Sequence, residues 1–261
     1  MKQTQLIMGM PVSVEIVSED AVATRKLFDE VFSYFSCADE KFSPYKETSE
    51  ISAINRGQLK ESDRSDDMKL IFALSEETKK LTRGYFDIVG RDGKYDPSGI
   101  VKGWAILNAT RILKKRGVKN FYIEAGGDIQ VSGKNREGKK WRVGIENPFG
   151  AKIIDRAKNG SKEIVKTVYL KDEGIATSGT YIRGQHIYNP KKREVAIDDI
   201  VSLTVIGPNV YEADRFATAA FAMGREGVNF IESLEGFEGY HIDKDGIAAM
   251  TSSFEKYTQK P

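Results

Sequence analysis

The order of secondary-structure signals most restricts the fold of this chain of 261 residues. Helical patterns dominate up to Gly117, whereas from Asn120 strand-like runs follow one another with mostly turns between them. The predicted strands in this part cover residues 121–124, 129–132, 141–146, 166–170 and 200–206. Because strands and helices do not alternate strictly, the pattern argues against a doubly wound dinucleotide-binding fold. We expect a single α+β domain over residues 1–261, with antiparallel, meandering strands packed against helices.

Helical patterns account for most of the remaining chain. They cover the ranges 20–37, 49–56, 65–81, 99–116 and 210–223. Cys37 lies on an apolar stretch of the first range, so we expect it to be a core residue rather than a nucleophile. As the single cysteine of the chain, it excludes an intramolecular disulfide and a cysteine-built zinc site.

Charge and hydropathy narrow the class of protein. The formal net charge is +2, from 40 basic and 38 acidic residues, and no basic stripe is interleaved with aromatic residues, so nucleic-acid binding is not expected. No apolar run is long enough for a membrane span. The start of the sequence has neither a long apolar core nor a cleavage site, which predicts a cytoplasmic protein.

The segment 96–105, Asp-Pro-Ser-Gly-Ile-Val-Lys-Gly-Trp-Ala, begins the helix that is predicted to run to about residue 116. Unpaired N–H groups and the positive end of the peptide dipoles make a helix start suitable for an anion such as phosphate. An ordinary N-cap with a tight turn explains the same residues. Gly103, one turn into the helix, costs stability unless another group packs close to the backbone there.

Asp214 and Thr218 are four residues apart on a predicted helix, which places two oxygen-bearing side chains on one face. Mg²⁺ prefers oxygen ligands and often takes one or two carboxylates together with substrate phosphates. On spacing alone, a solvent-facing Asp and a Thr bonded back to its own helix is the favoured alternative.

Three further features leave both a structural and a functional interpretation open. Gly126-Gly127-Asp128 and Ala176-Thr177-Ser178-Gly179 are either ordinary turns or loops, or sites where a ligand lies against the backbone. His186 lies in a polar stretch and has the chemistry of a general base near neutral pH, whereas His241 fits a structural role on a strand.

Taken in chain order, short motifs covering nearly the whole sequence resemble those of the FAD:protein FMN transferases, the ApbE family. They are Met8-Gly9-Met10, Phe42-Ser43-Pro44-Tyr45, Ser49-Glu50-Ile51, Gly84-Tyr85-Phe86-Asp87-Ile88, the segment 96–105, Glu124-Ala125-Gly126-Gly127-Asp128, the segment 174–179, His186-Ile187-Tyr188-Asn189-Pro190, and Glu212-Ala213-Asp214 with Ala217-Thr218.

The resemblance implies an enzyme that binds and splits FAD with the help of Mg²⁺. Its FMN part is joined by a phosphoester to a Thr or Ser of an acceptor flavoprotein, and AMP is released. The acceptor is expected to carry a motif of the type Asp-x-x-Ser/Thr-Gly-Ala-Ser/Thr. FAD hydrolysis to FMN and AMP, or a non-catalytic flavin-binding module, are the alternatives.

The resemblance also implies roles for individual residues of this chain. As metal ligands it implies the side chains of Asp214 and Thr218 and the main-chain carbonyl of Gly99. As FAD contacts it implies Met8, Tyr45, Tyr85, Phe86, Asp87, Asp96, Lys102, Ile187 and Tyr188. His186 matches the histidine that assists attack by the acceptor hydroxyl.

This chain departs from the family pattern at two places. Asn189 precedes Pro190 where family members usually carry Asp, and a Lys-Lys-Arg run follows. The interval from Asp87 to Asp96 is shorter than in many relatives, so we expect one side of the site to be more open.

Overall fold

The computed structural model describes residues 1–150, 163–180, 187–192 and 194–260. Its α-helices are α1 (Ala21–Phe42), α2 (Glu50–Asn55), α3 (Asp66–Leu81), α4 (Ser98–Lys115), α5 (Val210–Ala222) and α6 (Gly227–Glu232). Its strands are β1 (Lys2–Ile7), β2 (Met10–Ile16), β3 (Phe121–Ala125), β4 (Asp128–Ser132), β5 (Trp141–Glu146), β6 (Ile164–Leu170), β7 (Gly174–Gly179), β8 (Ile200–Gly207), β9 (Glu238–Asp243) and β10 (Ala248–Met250).

Within these residues the strands form two antiparallel sheets. The larger has eight strands in the order β1-β2-β3-β4-β7-β8-β9-β10, and the smaller pairs β5 with β6. Strands that follow one another in the chain are therefore neighbours, except where β5 and β6 separate β4 from β7. The expected α+β class with meandering antiparallel strands is confirmed.

Successive side chains of a strand point to opposite faces of the sheet, so each face of the larger sheet packs against its own core. Phe121 and Ile123 of β3 point into a core shared with α1 and α4, whereas Tyr122 packs toward the opposite face. That opposite core receives Trp141 and other residues of the β5–β6 pair. Burial of these side chains is the main favourable contribution to folding, since apolar area removed from water contributes about 25 cal/mol per Å².

Local signals begin the helices where the sequence predicts them, although α1 continues to Phe42 instead of ending near Cys37. The Asp20 side chain accepts hydrogen bonds from the amides of Val22 and Ala23 and so begins α1. Ser49 and Ser65 cap α2 and α3 in the same way. Helix α4 is buried on several sides because it packs against α1, α5 and the strands β3 and β4.

One expectation is wrong, and one of the two interpretations left open for residues 176–179 is excluded. Cys37 is exposed, because the helical turn of about 100° per residue brings Phe35 and Ala38 to the buried face of α1 and directs Cys37 outward. Residues 176–179 are not a loop but part of β7, where Thr177 pairs with Thr204 of β8. Among the described residues, no helix is long and apolar enough to cross a membrane.

Candidate active site

One open cavity, with about 1510 Å³ of empty space including its solvent-open part, lies beside the first turn of α4 and the middle of α5. Every predicted site residue that the structure describes lines it. These residues are Met8, Tyr45, Tyr85, Phe86, Asp87, Asp96, Gly99, Lys102, Ile187, Tyr188, Asp214 and Thr218. His186 lies outside the described residues, so its role stays a prediction.

Two glycines of α4 allow the close contact with α5 that forms the inner wall of the cavity. A Cβ atom on Gly99 would lie 3.2 Å from the Thr218 methyl carbon and 3.6 Å from its hydroxyl oxygen. A Cβ on Gly103 would lie 2.7 Å from Asp214 Cβ and 2.9 Å from the Val210 carbonyl oxygen, which is closer than packed atoms tolerate. The second glycine of the segment 96–105 is therefore explained by its packing against Asp214.

The carboxyl group of Asp214 is buried in this contact. Its Oδ2 accepts a hydrogen bond from the Gly103 amide at 2.8 Å. In a regular helix that amide would bond to the carbonyl of Gly99, so Asp214 competes for this donor with a predicted metal ligand. Burial raises the pKa of Asp214 well above its usual range, and the nearby carboxylate of Asp128 raises it further, whereas Lys102 and the Gly103 amide act in the opposite direction.

Lys102 lies between two buried carboxylates. Its ammonium nitrogen is 2.8 Å from Asp128 Oδ2 and 3.9 Å from Asp214 Oδ1. Asp128 is completely buried, and its other oxygen accepts a hydrogen bond from the Thr177 amide at 3.1 Å. Asp128 was not among the predicted site residues. The signal that could have identified it is its position directly after the two glycines of Gly126-Gly127-Asp128.

The two glycines form the turn between β3 and β4, so the simple turn interpretation of that motif is correct. Gly126 and Gly127 have φ values of 58° and 95°, which glycine adopts most easily. The Met10 sulfur packs on Gly126, where a Cβ would be 2.6 Å from it. Met10 and Gly126 line the cavity, and Asp128 is connected to it through its ion pair with the cavity-lining Lys102.

The short segment from Asp87 to Asp96 forms a loop whose two ends pair with each other. Val89 and Tyr95 form an isolated antiparallel bridge, and the Asn55 side chain both donates to and accepts from the Tyr95 backbone, at 2.9 and 2.8 Å. Asp87 pairs with Lys79 at 2.8 Å. These contacts fix one wall of the cavity.

Asp96 stabilises the start of α4. Its Oδ1 accepts a hydrogen bond at 2.9 Å from the amide of Ser98, the first residue of α4. Pro97 takes the N-cap position without a side-chain cap of its own. The structural interpretation of the Asp-Pro-Ser-Gly motif as a helix start therefore applies, and a role of Asp96 toward FAD stays a prediction.

Ile187, Tyr188 and Pro190 line the cavity next to the segment 87–96. The Tyr188 hydroxyl donates to the Val89 carbonyl at 2.8 Å, and the Arg91 guanidinium lies 4.8 Å from the Tyr188 ring centre. Asn189 Oδ1 accepts from the Lys191 amide at 2.9 Å. An aspartate would accept this bond equally well, so the departure from the family pattern at Asn189 is compatible with the same local turn.

No group of three or more His, Cys, Asp or Glu side chains that could hold a metal ion is found in residues 1–150, 163–180, 187–192 and 194–260. The predicted ligand set differs in kind, since it combines one carboxylate, one hydroxyl and one carbonyl. Such a set of oxygens suits Mg²⁺ only when phosphates or waters complete its shell. Two buried carboxyl groups, Asp128 and Asp214, face the ammonium of Lys102, and a cation bound beside Asp214 would favour the ionised form that burial disfavours.

Comparisons with known proteins bear on the family and the fold of the chain. The model of the ApbE family matches residues 8–91 and 89–241. A protein of Vibrio cholerae named FAD:protein FMN transferase is 32% identical over 139 residues, which are 50% of this chain and 39% of the relative. The protein of the same name from Klebsiella pneumoniae is 31% identical over 159 residues, 58% of this chain and 43% of the relative. The matched part thus spans less than half the length of these relatives.

Solved structures of low sequence identity show the same fold. The flavin transferase ApbE from Vibrio cholerae superimposes with a TM-score of 0.82 at 22% identity, covering 98% of both chains. The ApbE protein from Thermotoga maritima gives a TM-score of 0.83 at 20% identity, covering 100% of this chain and 99% of that one. With the family match over most of the sequence, these findings show that the chain belongs to the ApbE family.

Proposed function

We propose that the protein is a Mg²⁺-dependent FAD:protein FMN transferase, which attaches FMN through a phosphoester to a Thr or Ser of an acceptor flavoprotein and releases AMP. The observation that carries the proposal is the convergence of Gly99, Lys102, Asp214 and Thr218 on one wall of a cavity. The related proteins are named FAD:protein FMN transferase, which supports the transferase part of the proposal.

The wall has the groups that a pyrophosphate requires. Asp214, Thr218 and the Gly99 carbonyl would hold Mg²⁺, which when bound neutralises charge on the phosphate oxygens. Lys102 adds an ammonium from the same helix. The first turn of α4 contributes its N–H groups and the positive end of its peptide dipoles. Phosphoryl transfer depends mainly on the alignment of the reactants and on charge stabilisation, and these groups would provide both.

The apolar part of the cavity suits the rings of FAD. Phe86 is buried against Gly99, and Tyr45 is 86% exposed at the cavity edge, where its ring is free to lie against a planar ligand. Tyr85 and Tyr188 line the same space. A flavin and an adenine are both planar and aromatic, and we assign these side chains to their binding without dividing them between the two rings.

In the transfer step the acceptor hydroxyl oxygen attacks the phosphorus of the FMN half. The bond from this phosphorus to the bridging oxygen breaks, and AMP leaves with that oxygen. We assign His186 as the base that takes the hydroxyl proton, on the strength of the sequence motif alone. Such a base typically accelerates a reaction by about 10² to 10⁴.

A direct test measures mass after the protein is incubated with FAD, Mg²⁺ and an acceptor peptide or domain with the motif Asp-x-x-Ser/Thr-Gly-Ala-Ser/Thr. A gain of one FMN on the acceptor supports the proposal. Free FMN and AMP with an unmodified acceptor would instead show FAD hydrolysis, and intact bound FAD would leave a binding module.

Two variants test the assigned roles in the same assay. Asp214→Ala should abolish Mg²⁺-dependent transfer, and unchanged activity would contradict the metal assignment. His186→Gly should slow transfer while FAD still binds. Transfer at the rate of the unmodified protein would remove His186 from the mechanism.

A further inference from the structure

The buried Asp128 is not explained by any of the assigned roles. It is not among the predicted ligands or FAD contacts, yet it forms the shortest ion pair of the inner wall, at 2.8 Å from Lys102. Desolvation of a carboxylate is unfavourable, so a buried carboxylate is retained in a fold only where a partner compensates for that cost. Lys102 is that partner, and the Thr177 amide supplies a second contact.

The geometry around Lys102 is asymmetric. The ammonium lies 2.8 Å from Asp128 but 3.9 Å from Asp214, so it is paired with the first carboxylate and only near the second. The Gly103 amide donates a hydrogen bond to Asp214 Oδ2, and Oδ1 is the oxygen that lies 3.9 Å from Lys102. If Lys102 moved about 1 Å toward Asp214, it would neutralise the carboxylate assigned to the metal.

We propose that Asp128 is a positioning residue which holds the Lys102 ammonium away from Asp214 and so leaves the Asp214 carboxylate available to a divalent cation. Asp128 itself does not bind the cation. This inference rests on the metal site of the proposed function. It assigns the Gly126-Gly127-Asp128 turn a role in the site, because the turn delivers the carboxylate to a position where it reaches Lys102 from the sheet side.

The backbone makes Asp128 well suited to this role. It is the first residue of β4 and pairs with Ala125 of β3 across the two-glycine turn. Its position is therefore fixed by the central strands of the larger sheet, whereas Lys102 is a flexible side chain on α4. A rigid carboxylate can determine where a flexible ammonium lies.

The test measures Mn²⁺ binding to a set of variants by the electron paramagnetic resonance of free Mn²⁺. FAD and acceptor are both left out, so that the loss of a phosphate contact at Lys102 does not enter the result. Asp128→Asn keeps the shape and removes the charge, and we expect Mn²⁺ affinity to fall by about 10- to 100-fold, as is typical when an outer partner of a metal ligand is lost. Lys102→Met should bind Mn²⁺ at least as tightly as the unmodified protein.

The double variant Asp128→Asn with Lys102→Met decides the mechanism. Without the ammonium there is nothing to compete for Asp214, so the inference predicts recovery of Mn²⁺ affinity to within a few-fold of the unmodified protein. A merely structural role for Asp128, or direct binding of the ion by Asp128, would leave the double variant as weak as Asp128→Asn, and that result would overturn the inference.

Two controls separate this inference from the proposed function. Asp172→Asn removes another carboxylate of the β-sheet region, one that accepts a hydrogen bond from the Gly133 amide at 2.7 Å and does not line the cavity, and it should leave Mn²⁺ affinity unchanged. Failure of the unmodified protein to bind Mn²⁺ would contradict the metal assignment itself. Normal binding by the unmodified protein and by Asp128→Asn alike would contradict only the role of Asp128.

Discussion

The amide of Gly103 donates a hydrogen bond to Asp214 Oδ2 at 2.8 Å, across the contact between α4 and α5 and 111 residues away in sequence. The same glycine leaves no room for a side chain, since its Cβ would be 2.7 Å from Asp214 Cβ. The close approach of α4 to α5 and the orientation of the Asp214 carboxylate therefore both depend on Gly103. This relationship makes the position of Asp214 sensitive to any change in how the two helices pack.

Replacing Gly103 with Ala should destabilise the protein even though Ala is the better helix former. The gain in helix propensity is about 1 kcal/mol. Contacts of 2.7 and 2.9 Å to Asp214 and the Val210 carbonyl must be relieved by separating the helices, and overpacking of this kind costs about 1–3 kcal/mol. We expect a net loss in the free energy of unfolding, measured by urea denaturation.

Gly99→Ala is the matched comparison for this prediction. Its nearest neighbours are the Thr218 methyl carbon at 3.2 Å and the Phe86 ring at 3.4 Å, which can yield by a few tenths of an ångström. Stability within about 1 kcal/mol of the unmodified protein is expected there. Equal stability of the two variants would contradict the role assigned to the Gly103 contact.

Mg²⁺ should stabilise the folded protein through Asp214. A ligand that binds only the native state at 100 times its Kd adds about 2.7 kcal/mol to the free energy of unfolding. We therefore expect the unfolding temperature to rise on addition of Mg²⁺, and expect no such rise in Asp214→Asn. Differential scanning fluorimetry with and without EDTA measures both.

The metal-free forms provide a second comparison. Asp214→Asn removes a buried negative charge that shares one ammonium with Asp128, and an amide can still accept from Gly103. The variant should match or exceed the stability of the metal-free protein. Marked destabilisation of Asp214→Asn in EDTA would show that the Asp214 charge serves the fold rather than a cation.

Tyr45 offers a way to test ring binding without disturbing the fold. Since 86% of the residue is exposed, Tyr45→Ala should leave the unfolding temperature unchanged. Loss of an aromatic contact of about 0.5–1.5 kcal/mol predicts a decrease of about 2- to 13-fold in FAD affinity, which quenching of flavin fluorescence measures. Tyr45→Phe keeps the ring and should bind FAD normally. Unchanged affinity in Tyr45→Ala would place the rings of FAD elsewhere.

Local signals predicted the helices well because their ends depend on neighbouring residues. Asp20, Ser49 and Ser65 cap their helices through contacts within three residues. Strand β1 was missed because it is a largely exposed edge strand, so its burial pattern carries little alternation. Strand β7 was missed because its Gly and small hydroxylated residues resemble a loop, and only pairing with β4 and β8 makes them a strand.

The site was predictable only in part for a related reason. The spacing of Asp214 and Thr218 indicated a shared helix face, but not that the face would meet Gly99 and Gly103. Their convergence depends on the packing of α4 against α5, which no local pattern encodes. Asp128 shows the same limit, since its pairing with Lys102 joins a strand to a helix through tertiary structure.

His241 should make the stability of the protein depend on pH. It is buried on β9, and burial lowers its pKa below the ordinary value of 6.5, while Asp243 and Asp199 act in the raising direction and Arg225 in the lowering one. None of the described residues hydrogen-bonds to its Nδ1 atom, so protonation of this nitrogen would bury an uncompensated N–H.

The sign follows from proton counting. Below pH 6.5 this histidine is mostly protonated in the unfolded chain, whereas in the folded protein its lowered pKa keeps more of it neutral. The unfolded state therefore binds more protons, and the free energy of unfolding falls as pH decreases through this window. Each unit of pKa difference costs about 1.4 kcal/mol.

The His241→Gln side chain cannot be protonated, so the free energy of unfolding of this variant should fall less between pH 7.5 and pH 5 in urea titrations. Ala249→Gln changes the exposed residue opposite His241 on β10 and should keep the original slope. If His241→Gln loses stability as steeply as the unmodified protein, the acid sensitivity arises from other groups, because the only difference between the two proteins in this window is the imidazole.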